Sequence, residues 1–206
     1  QRGWKMSKGL CANTCRLDDR PEAQEVTVGE SVSANLERFL REQTLETFMS
    51  LRDAMIQSPD YDPYDHYQSE AHALLGKGEF EKLTRYMMSK MDGWIVNPGI
   101  HKLLSVAVHK LGHEQRARTE LLLARALLNG ILSTGDGSEA RPYLVSSVTD
   151  EYDVLEHLGK SLRQQSLVES EGRRCDRFEC TDGSLIWFDV SAPLAWFERT
   201  IKSADR

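Results

Sequence analysis

The segment Ala71-His-Ala-Leu-Leu-Gly-Lys-Gly-Glu-Phe-Glu-Lys-Leu83 has the pattern of a helix, a glycine turn and the start of another helix. The residues from Leu103 to Ala117 repeat this layout more weakly, and Gly112 follows Gly78 by 34 residues. A period of 34 residues is typical of tetratricopeptide repeats, whose units are pairs of helices that stack side by side. The sequence therefore predicts tetratricopeptide-like helical hairpins, an architecture that binds partners through one face of the stack.

On both sides of this segment, apolar residues recur at steps of three and four through residues 32–132, which predicts amphipathic helices. Asn97-Pro98-Gly99 separates the two repeat-like units, and proline in this place is typical of a helix start. Residues 1–31 carry Gly, Asn, Asp, Pro and charge without periodicity. We therefore expect a flexible N-terminal lead there.

A change of composition at Ser133-Thr-Gly-Asp-Gly-Ser138 predicts a domain boundary. A β-prone run (143–148) and a helical run (151–158) follow it, and Gly159 stands where a helix-ending glycine is usual. Asp182-Gly183 lies between two strand-like runs, which predicts a β-hairpin with a two-residue turn and Gly183 at positive φ. The predicted fold class is α+β, mainly α. Its parts are the lead, a helical repeat-like domain and a small C-terminal α+β unit: residues 1–31, 32–132 and 133–206.

The composition excludes several classes of protein. The 206 residues are 40% hydrophobic and 28% charged, the balance of a soluble globular protein. No apolar run approaches the roughly 20 residues that span a bilayer, so we expect no membrane span. The net charge of −6 disfavours nucleic-acid binding, which depends on neutralising phosphates. No apolar core of a secretory signal precedes residue 30, and the chain starts at Gln1, so both the cytoplasm and export with a signal outside this chain stay open.

The four cysteines form two distant pairs, Cys11 with Cys15 and Cys175 with Cys180. The spacing within and between the pairs is not that of a structural zinc site. Cys175 and Cys180 are five residues apart in a predicted strand, which puts them on opposite faces of it. We therefore expect ordinary reduced cysteines.

No metal-binding or catalytic pattern is present elsewhere. His109 and His113 are spaced as ligands on one helix would be, but the predicted turn at Gly112 breaks their common face. The sequence lacks the G-x-S-x-G pattern and any Cys/His signature of a nucleophile. Asp150 and Glu151 stand at a predicted helix start, where the helix dipole stabilises negative charge. We expect neither a metal nor a cofactor, and the balance of these patterns is against an enzyme.

The leading hypothesis is a non-catalytic module that binds a protein or peptide partner. Five basic residues between positions 100 and 128 outnumber the acidic ones there, whereas the connector around positions 60–70 is acidic. A basic pair of helices would suit an acidic peptide or this acidic connector. Aromatic and arginine side chains beside the predicted turns are the best contact candidates, because these residue types dominate binding energy in interfaces. They are Tyr64, Tyr67, Trp94, Arg116 and Arg118.

Two other hypotheses stay open. A small-ligand-binding protein or an enzyme would have its site between the helical part and the C-terminal unit, around Gly135–Ser138 and Trp187. A deep polar pocket there with a perturbed carboxylate or histidine would favour this class. A structural accessory protein would have no discrete site at all.

Four motifs, in the order in which they occur along the chain, resemble the motifs of a known protein family. They are Ser58-Pro-Asp-Tyr-Asp-Pro-Tyr64, Gly78-Glu-Phe-Glu-Lys82, Gly135-Asp-Gly-Ser138 and Glu151-Tyr-Asp-Val-Leu-Glu-His-Leu-Gly159. Over roughly residues 34–190 the chain resembles the bacterial family called domain of unknown function 4919. The resemblance implies no established activity and no defined functional residues, and many members of that family look exported.

Overall fold

The computed structural model describes residues 31–65 and 67–204. The predicted N-terminal lead lies outside these ranges apart from Ser31, and so do Cys11 and Cys15. In the described part, helices predominate over a small sheet, which confirms the class α+β, mainly α. The helices are α1 (Val32–Glu42), α2 (Leu45–Ile56), α3 (Tyr67–Gly76), α4 (Phe80–Ser89), α5 (Met91–Trp94), α6 (Pro98–Lys110), α7 (Glu114–Ser133), α8 (Val148–His157) and α9 (Ser191–Ala204). The strands are β1 (Tyr143–Leu144), β2 (Leu162–Ser170), β3 (Arg173–Cys180) and β4 (Leu185–Asp189).

Polar residues begin two of the helices through local hydrogen bonds. Thr44 precedes α2, and its hydroxyl accepts a hydrogen bond from the Thr47 N–H at 3.2 Å. Asn97 precedes α6, whose first residue is Pro98, and its side-chain oxygen accepts from the Ile100 N–H at 3.0 Å. Each cap satisfies a backbone N–H that has no partner within its own helix. Both helix starts therefore follow from the local sequence.

The helix pairs α3–α4 and α6–α7 are joined by the same turn. Gly78 and Gly112 have φ values of 70° and 82°. In each turn the glycine N–H donates to the carbonyl three residues earlier, and the next N–H donates to the carbonyl five residues earlier, all at 2.9–3.0 Å. Glycine is preferred in this Schellman arrangement, because the Cβ of any other residue would be crowded by a left-handed backbone. The predicted helix–turn–helix pairs are confirmed, while their kinship to tetratricopeptide units stays a prediction.

The strands form one mixed sheet in the order β1-β4-β3-β2. β1 is parallel to β4, and the pairs β4–β3 and β3–β2 are antiparallel. The sequence analysis did not predict β2 or the hairpin that it forms with β3. The turn residues of this hairpin, Glu171 and Gly172, both have positive φ. A two-residue turn of this kind usually contains Asn-Gly or Asp-Gly, so Glu171-Gly172 gives only a weak signal.

The predicted hairpin at Asp182-Gly183 exists, but its loop is longer than expected. The Gly183 N–H donates to the Cys180 carbonyl, and the Cys180 N–H donates to the Ser184 carbonyl, both at 2.9 Å. The loop therefore has three residues, beginning at Thr181, and the predicted two-residue turn is wrong. Gly183 has the predicted positive φ, 82°, because a left-handed residue closes a three-residue loop of this type.

Two clusters of buried side chains hold the helices and the sheet together. The first combines α1, α2 and the second half of α7 with the sheet and α8, and includes Phe48, Leu127 and Phe178. The second lies among α3, α4, α5, α6 and the start of α7, and includes Leu83 and Ile100. Since the first cluster contains residues from both sides of the predicted boundary, the helical part and the sheet share a core. The division into domains itself stays a prediction.

Candidate functional site

Two of the five predicted contact residues are buried. Tyr67 is completely buried and Trp94 is 3% exposed, and their rings meet edge to face with centroids 4.7 Å apart. Both belong to the second cluster. Side chains with so little exposed surface offer a partner almost no contact area in this structure. Their aromatic area covers the helical core instead.

Tyr64 is half-buried against the C-terminal helix α9. Its ring centroid lies 5.5 Å from that of Phe197 and 6.2 Å from that of Trp196. Burial raises the pKa of its hydroxyl, and the neighbouring carboxyls of Asp176 and Glu151 raise it further. The connector between α2 and α3 is therefore attached to α9 through this ring, and only part of Tyr64 faces solvent.

Arg116 and Arg118 lie on different sides of α7, because residues two positions apart in a helix are separated by about 200° around its axis. The Arg116 Nη2 is 3.1 Å from the Met88 Sδ, and its Nε is 3.7 Å from a carboxylate oxygen of Glu120. Arg118 is exposed, and the described residues provide it with no ion-pair partner. The structure thus does not bring the five predicted residues together, and Arg118 is the one with an unpaired charge.

A buried polar centre links the two clusters, and Asn97 lies in its middle. The side-chain oxygen of Asn97 accepts a hydrogen bond from the Tyr67 hydroxyl at 2.7 Å, besides capping α6. Its amide nitrogen donates to Asp150 Oδ1 at 2.6 Å and to Thr149 Oγ1 at 2.9 Å. Because Asn97 is only 2% exposed, these bonds replace those it would make with water. One amide therefore joins α3, α6 and α8.

Asp150 completes the polar centre at the start of α8. Its Oδ2 accepts hydrogen bonds from the backbone N–H groups of Ser146 at 2.8 Å and Ser147 at 2.9 Å. Burial raises the pKa of Asp150, while these bonds favour its charged form. The predicted position at a helix start is confirmed, and Asp150 fixes the chain where β1 leads into α8.

Glu151 is in a different environment. Its side chain is completely buried, and within the described part of the chain neither carboxyl oxygen has a hydrogen-bond partner of normal geometry. Burial, and then the neighbouring Asp176 carboxyl, raise the pKa of Glu151 well above its usual value. Ionisation would put a second negative charge beside Asp176 out of contact with water. Burial and the Asp176 carboxyl therefore act on Glu151 against the predicted stabilisation of negative charge at the helix start.

A groove of about 200 Å³ lies between α6, α7 and α8. Leu121 and Leu128 provide apolar lining, and Lys102 pairs with Glu156 across it. Asp153 also lines the groove, and its Oδ2 is buried without a hydrogen-bond partner among the described residues. Burial, and then the charge of Asp150, raise the pKa of Asp153 to about 7, although Lys102 acts in the opposite direction.

The sequence prediction placed a small-ligand site elsewhere, around Gly135–Ser138 and Trp187. There the Trp187 N–H donates to the Gly137 carbonyl at 2.9 Å, and the Trp187 side chain is 9% exposed. A Cβ added to Gly135 would lie 2.4 Å from the Arg141 and Pro142 carbonyl oxygens. This segment is a tightly packed turn against β4, and the perturbed carboxyl lies in the groove instead.

Asp153 makes the stability of the protein depend on pH. Its folded pKa of about 7 exceeds the value of about 4 in an unfolded chain. The folded state therefore binds the extra proton, and the stability that it provides is lost as pH rises from about 4 through about 7. We expect Asp153→Asn to stabilise the protein at pH 8 by roughly 2 kcal/mol, about half of what a shift of about three pKa units is worth, because the amide cannot ionise but weakens the hydrogen bond that the carboxyl accepts from the Gly99 backbone.

Urea unfolding of both proteins at pH 5.5 and pH 8 measures this effect. The gain from Asp153→Asn should be clearly smaller at pH 5.5, where the wild-type carboxyl is neutral in the folded state. Asp53→Asn is a matched control, since Asp53 is an exposed aspartate of α2. An equal gain at both pH values would show that Asp153 does not carry its proton in the folded protein.

The outer face of α7 carries a stripe of four side chains, which we call the α7 stripe: Arg118, Leu121, Leu122 and Arg125. Leu121 is 37% exposed and Leu122 is 64% exposed. Both arginines are exposed, and within residues 31–65 and 67–204 neither has a carboxylate partner. The two arginines are seven residues apart, which is about 10 Å along a helix. The stripe borders the groove, because Leu121 and Arg125 also line it.

Among the described residues, no group of three or more His, Cys, Asp and Glu side chains is arranged to hold a metal ion. His109 forms an exposed pair with Glu114, 2.9 Å from Nδ1 to Oε1. Cys175 and Cys180 are buried and not bonded to each other. No helix in the part of the chain that is described has the length and apolarity needed to cross a membrane.

Some of these features had a signal in the sequence. Asn97 before Pro98 predicts a helix cap, and this part of its role is local. Its bonds to Thr149 and Asp150 cross more than fifty residues and have no sequence signal. The exposed pair of leucines within the basic part of α7 could have been found from a helical wheel, since steps of three and four separate the members of the stripe.

The comparisons with known proteins identify a family without adding an activity. No curated protein and no solved structure matches the chain. The family model described as domain of unknown function (DUF4919) matches residues 36–199, which is most of the chain. The matched range contains the polar centre, the groove and the α7 stripe. The chain therefore belongs to the domain of unknown function 4919 family.

Proposed function

We propose that this protein is a non-catalytic binding module that holds an acidic, amphipathic segment of a protein partner along the α7 stripe. The observation that carries this proposal is the pair of unpaired arginines, Arg118 and Arg125, which flank the exposed Leu121 and Leu122. Arginine and exposed apolar area together are typical of contact sites. A segment with two carboxylates about 10 Å apart and apolar residues between them would match the stripe.

Several other charges near the helical part are already paired within the chain. In the acidic connector, Asp65 pairs with Lys90 at 2.6 Å, so this carboxylate is engaged by the residue that follows α4 and not by the basic residues of α7. Lys102 pairs with Glu156, and Arg116 approaches Glu120. The arginines of the stripe therefore remain available to a carboxylate from outside the described chain.

The helix pairs support the same class of function. The two turns at Gly78 and Gly112 have the same backbone hydrogen bonds, and the second pair presents α7 at the surface. Repeat proteins built from helix pairs bind partners through an extended surface formed by the stacked units. We propose that these two pairs are tetratricopeptide-like units and that α7 is the helix used for binding.

Binding of a fluorescent synthetic peptide tests the proposal. We expect an amphipathic peptide with glutamates at positions i and i+7 and leucines between them to bind, and the same peptide with lysines not to bind. Arg118→Glu with Arg125→Glu should weaken binding at least about tenfold, because attraction becomes repulsion. Fluorescence polarisation measures both, and raising the salt from about 50 to about 300 mM should weaken binding.

The matched control is the same change of charge on exposed arginines elsewhere. Arg41 of α1 and Arg85 of α4 are exposed and have no ion-pair partner among the described residues. Arg41→Glu with Arg85→Glu should leave the affinity unchanged, and circular dichroism should give the same helicity for all variants. Equal binding of the acidic and basic peptides, or equal loss in both double variants, would contradict the α7 stripe as the binding surface.

The groove favours a second candidate function. Asp153 has a pKa of about 7 and an unpartnered oxygen, in a cleft between the helical part and the C-terminal unit. Perturbed carboxyls in clefts are typical of small-ligand sites and of general acid–base groups. If a small molecule is the ligand, Asp153→Asn should remove its binding, whereas the double change at Arg118 and Arg125 should have a weaker effect. Thermal-shift measurements with a library of small amines and hydroxyl compounds would separate the two candidates.

A further inference from the structure

The strand β2 forms a long open edge of the sheet. It has nine residues and pairs with β3 alone among the described segments. Alternate residues of an edge strand direct their backbone N–H and C=O groups away from the sheet, where they can pair with another strand. The opposite edge is β1, which has only two residues. β2 is therefore the edge that can accept a strand.

The middle of the edge lacks the features that normally prevent pairing with another chain. Residues 162–170 contain neither proline nor lysine, and the five central residues, Gln164 to Val168, are uncharged. The irregularity in its pairing with β3 lies between Leu162 and Gln164, at the beginning of the strand. Proteins usually protect an edge of this length with lysine, proline or a bulge near its middle, so an unprotected one indicates a partner strand.

The charges at the two ends of β2 are complementary to each other. Arg163 lies near its beginning, and Glu169 lies near its end. Antiparallel pairing of two β2 strands centred on Ser166 brings the beginning of each strand, which carries Arg163, next to the end of the other, which carries Glu169. Parallel pairing would put like charges together instead. We propose that β2 pairs antiparallel with β2 of a second copy of this chain, which joins two four-stranded sheets into one.

Apolar side chains beside the edge support the same partner. Leu167 of β2 is 58% exposed and lies opposite Asp176 of β3. Tyr152 of α8 is 46% exposed and packs on Phe178 of β3, with ring centroids 5.8 Å apart. In the centred pairing, Leu167 of each copy lies diagonally across from Leu167 of the other. Both copies therefore bury apolar area close to the symmetry axis, as a two-fold interface requires.

Light scattering coupled to size exclusion tests the proposal with the full chain. Between roughly 1 and 100 µM the wild-type protein should pass from monomer to dimer. Leu167→Lys should raise the dissociation constant at least about tenfold, because two lysines then meet near the axis. The matched control is Leu122→Lys, which makes the same change on an exposed leucine of α7 far from the edge and should leave the dimer intact.

A charge exchange makes the test specific for the antiparallel register. Glu169→Arg alone should weaken the dimer, and adding Arg163→Glu should restore it, because the opposite charges are then reversed in both copies. Arg163 also pairs with Glu179 of its own chain, but this pair is exposed and contributes little. A wild-type protein that stays monomeric at about 100 µM, or a dimer that Leu167→Lys leaves unchanged, would overturn the proposal. Neither result bears on the α7 stripe, which peptide binding tests separately.

Discussion

Replacing Asn97 by alanine is expected to lower the free energy of unfolding by roughly 4 kcal/mol. The change removes the cap of α6 and leaves the Tyr67 hydroxyl without its acceptor. It also takes away the amide donor at 2.6 Å from Asp150, so a buried carboxylate loses one of its partners. Buried polar groups that lose a partner keep the full cost of their desolvation. Urea unfolding followed by circular dichroism measures the loss.

Asn129→Ala provides the matched control for this prediction, since Asn129 is an exposed asparagine of α7. Its effect should stay within about 0.5 kcal/mol. Asp150→Asn should also be costly, because the amide weakens the bonds from the Ser146 and Ser147 backbone. A loss below about 1 kcal/mol for Asn97→Ala would mean that the polar centre is not a structural link between the two clusters.

Gly130→Ala is expected to destabilise the protein by roughly 3 kcal/mol, although alanine favours helices. A Cβ at this position would lie 2.2 Å from Cδ2 of Phe48 and 2.7 Å from its Cγ. These atoms belong to the inner part of a ring that is 2% exposed in the first cluster. The ring cannot turn away without disturbing the packing between α2 and α7, because the interior is closely packed. Thermal and urea unfolding measure the effect.

A double-mutant cycle makes this prediction specific. Phe48→Leu alone should destabilise the protein by opening space beside α7. In the double variant the alanine methyl group occupies part of this space, so Gly130→Ala should cost much less than it does beside Phe48. Gly76→Ala is the control, because no side chain and no backbone from beyond its own helix turn, among the described residues, lies within 4 Å of a Cβ added at Gly76. Equal costs of Gly130→Ala in the two backgrounds would contradict a close contact between Gly130 and the ring.

The helical part was largely predictable because its signals are local. The caps at Thr44 and Asn97, the turns at Gly78 and Gly112, and the apolar stripes depend on residues within about five positions of each other. The three-residue hairpin loop and β2 were not predicted correctly. Loop length depends on how two strands align. The strand β2 lies at an edge, where none of its residues is buried. Its pattern of burial therefore differs from that of a half-buried strand.

The candidate site was less predictable. Arg118 was predicted as a contact residue and is exposed, while Tyr67 and Trp94 are buried in the second cluster. Aromatic side chains are common both in interfaces and in cores, so residue type alone does not separate the two places. Glu151 was interpreted as a charge at a helix end, but its neighbour Asp176 comes from a different element. No fixed spacing in the sequence reveals a pair of carboxyls of this kind, because its members come from different elements.

The amino-acid sequence alone determined the fold class, the helix starts and the conformation of the turn glycines, because these depend on short-range hydrogen bonds and on the allowed φ values. Only the tertiary structure determined which polar side chains are buried together. Asn97 and Asp150 are 53 residues apart, and Arg52 reaches the Val145 carbonyl across 93 residues. The pKa of Asp153 and the composition of the α7 stripe also arise in this way, because burial and charge act through space between elements that are distant along the chain.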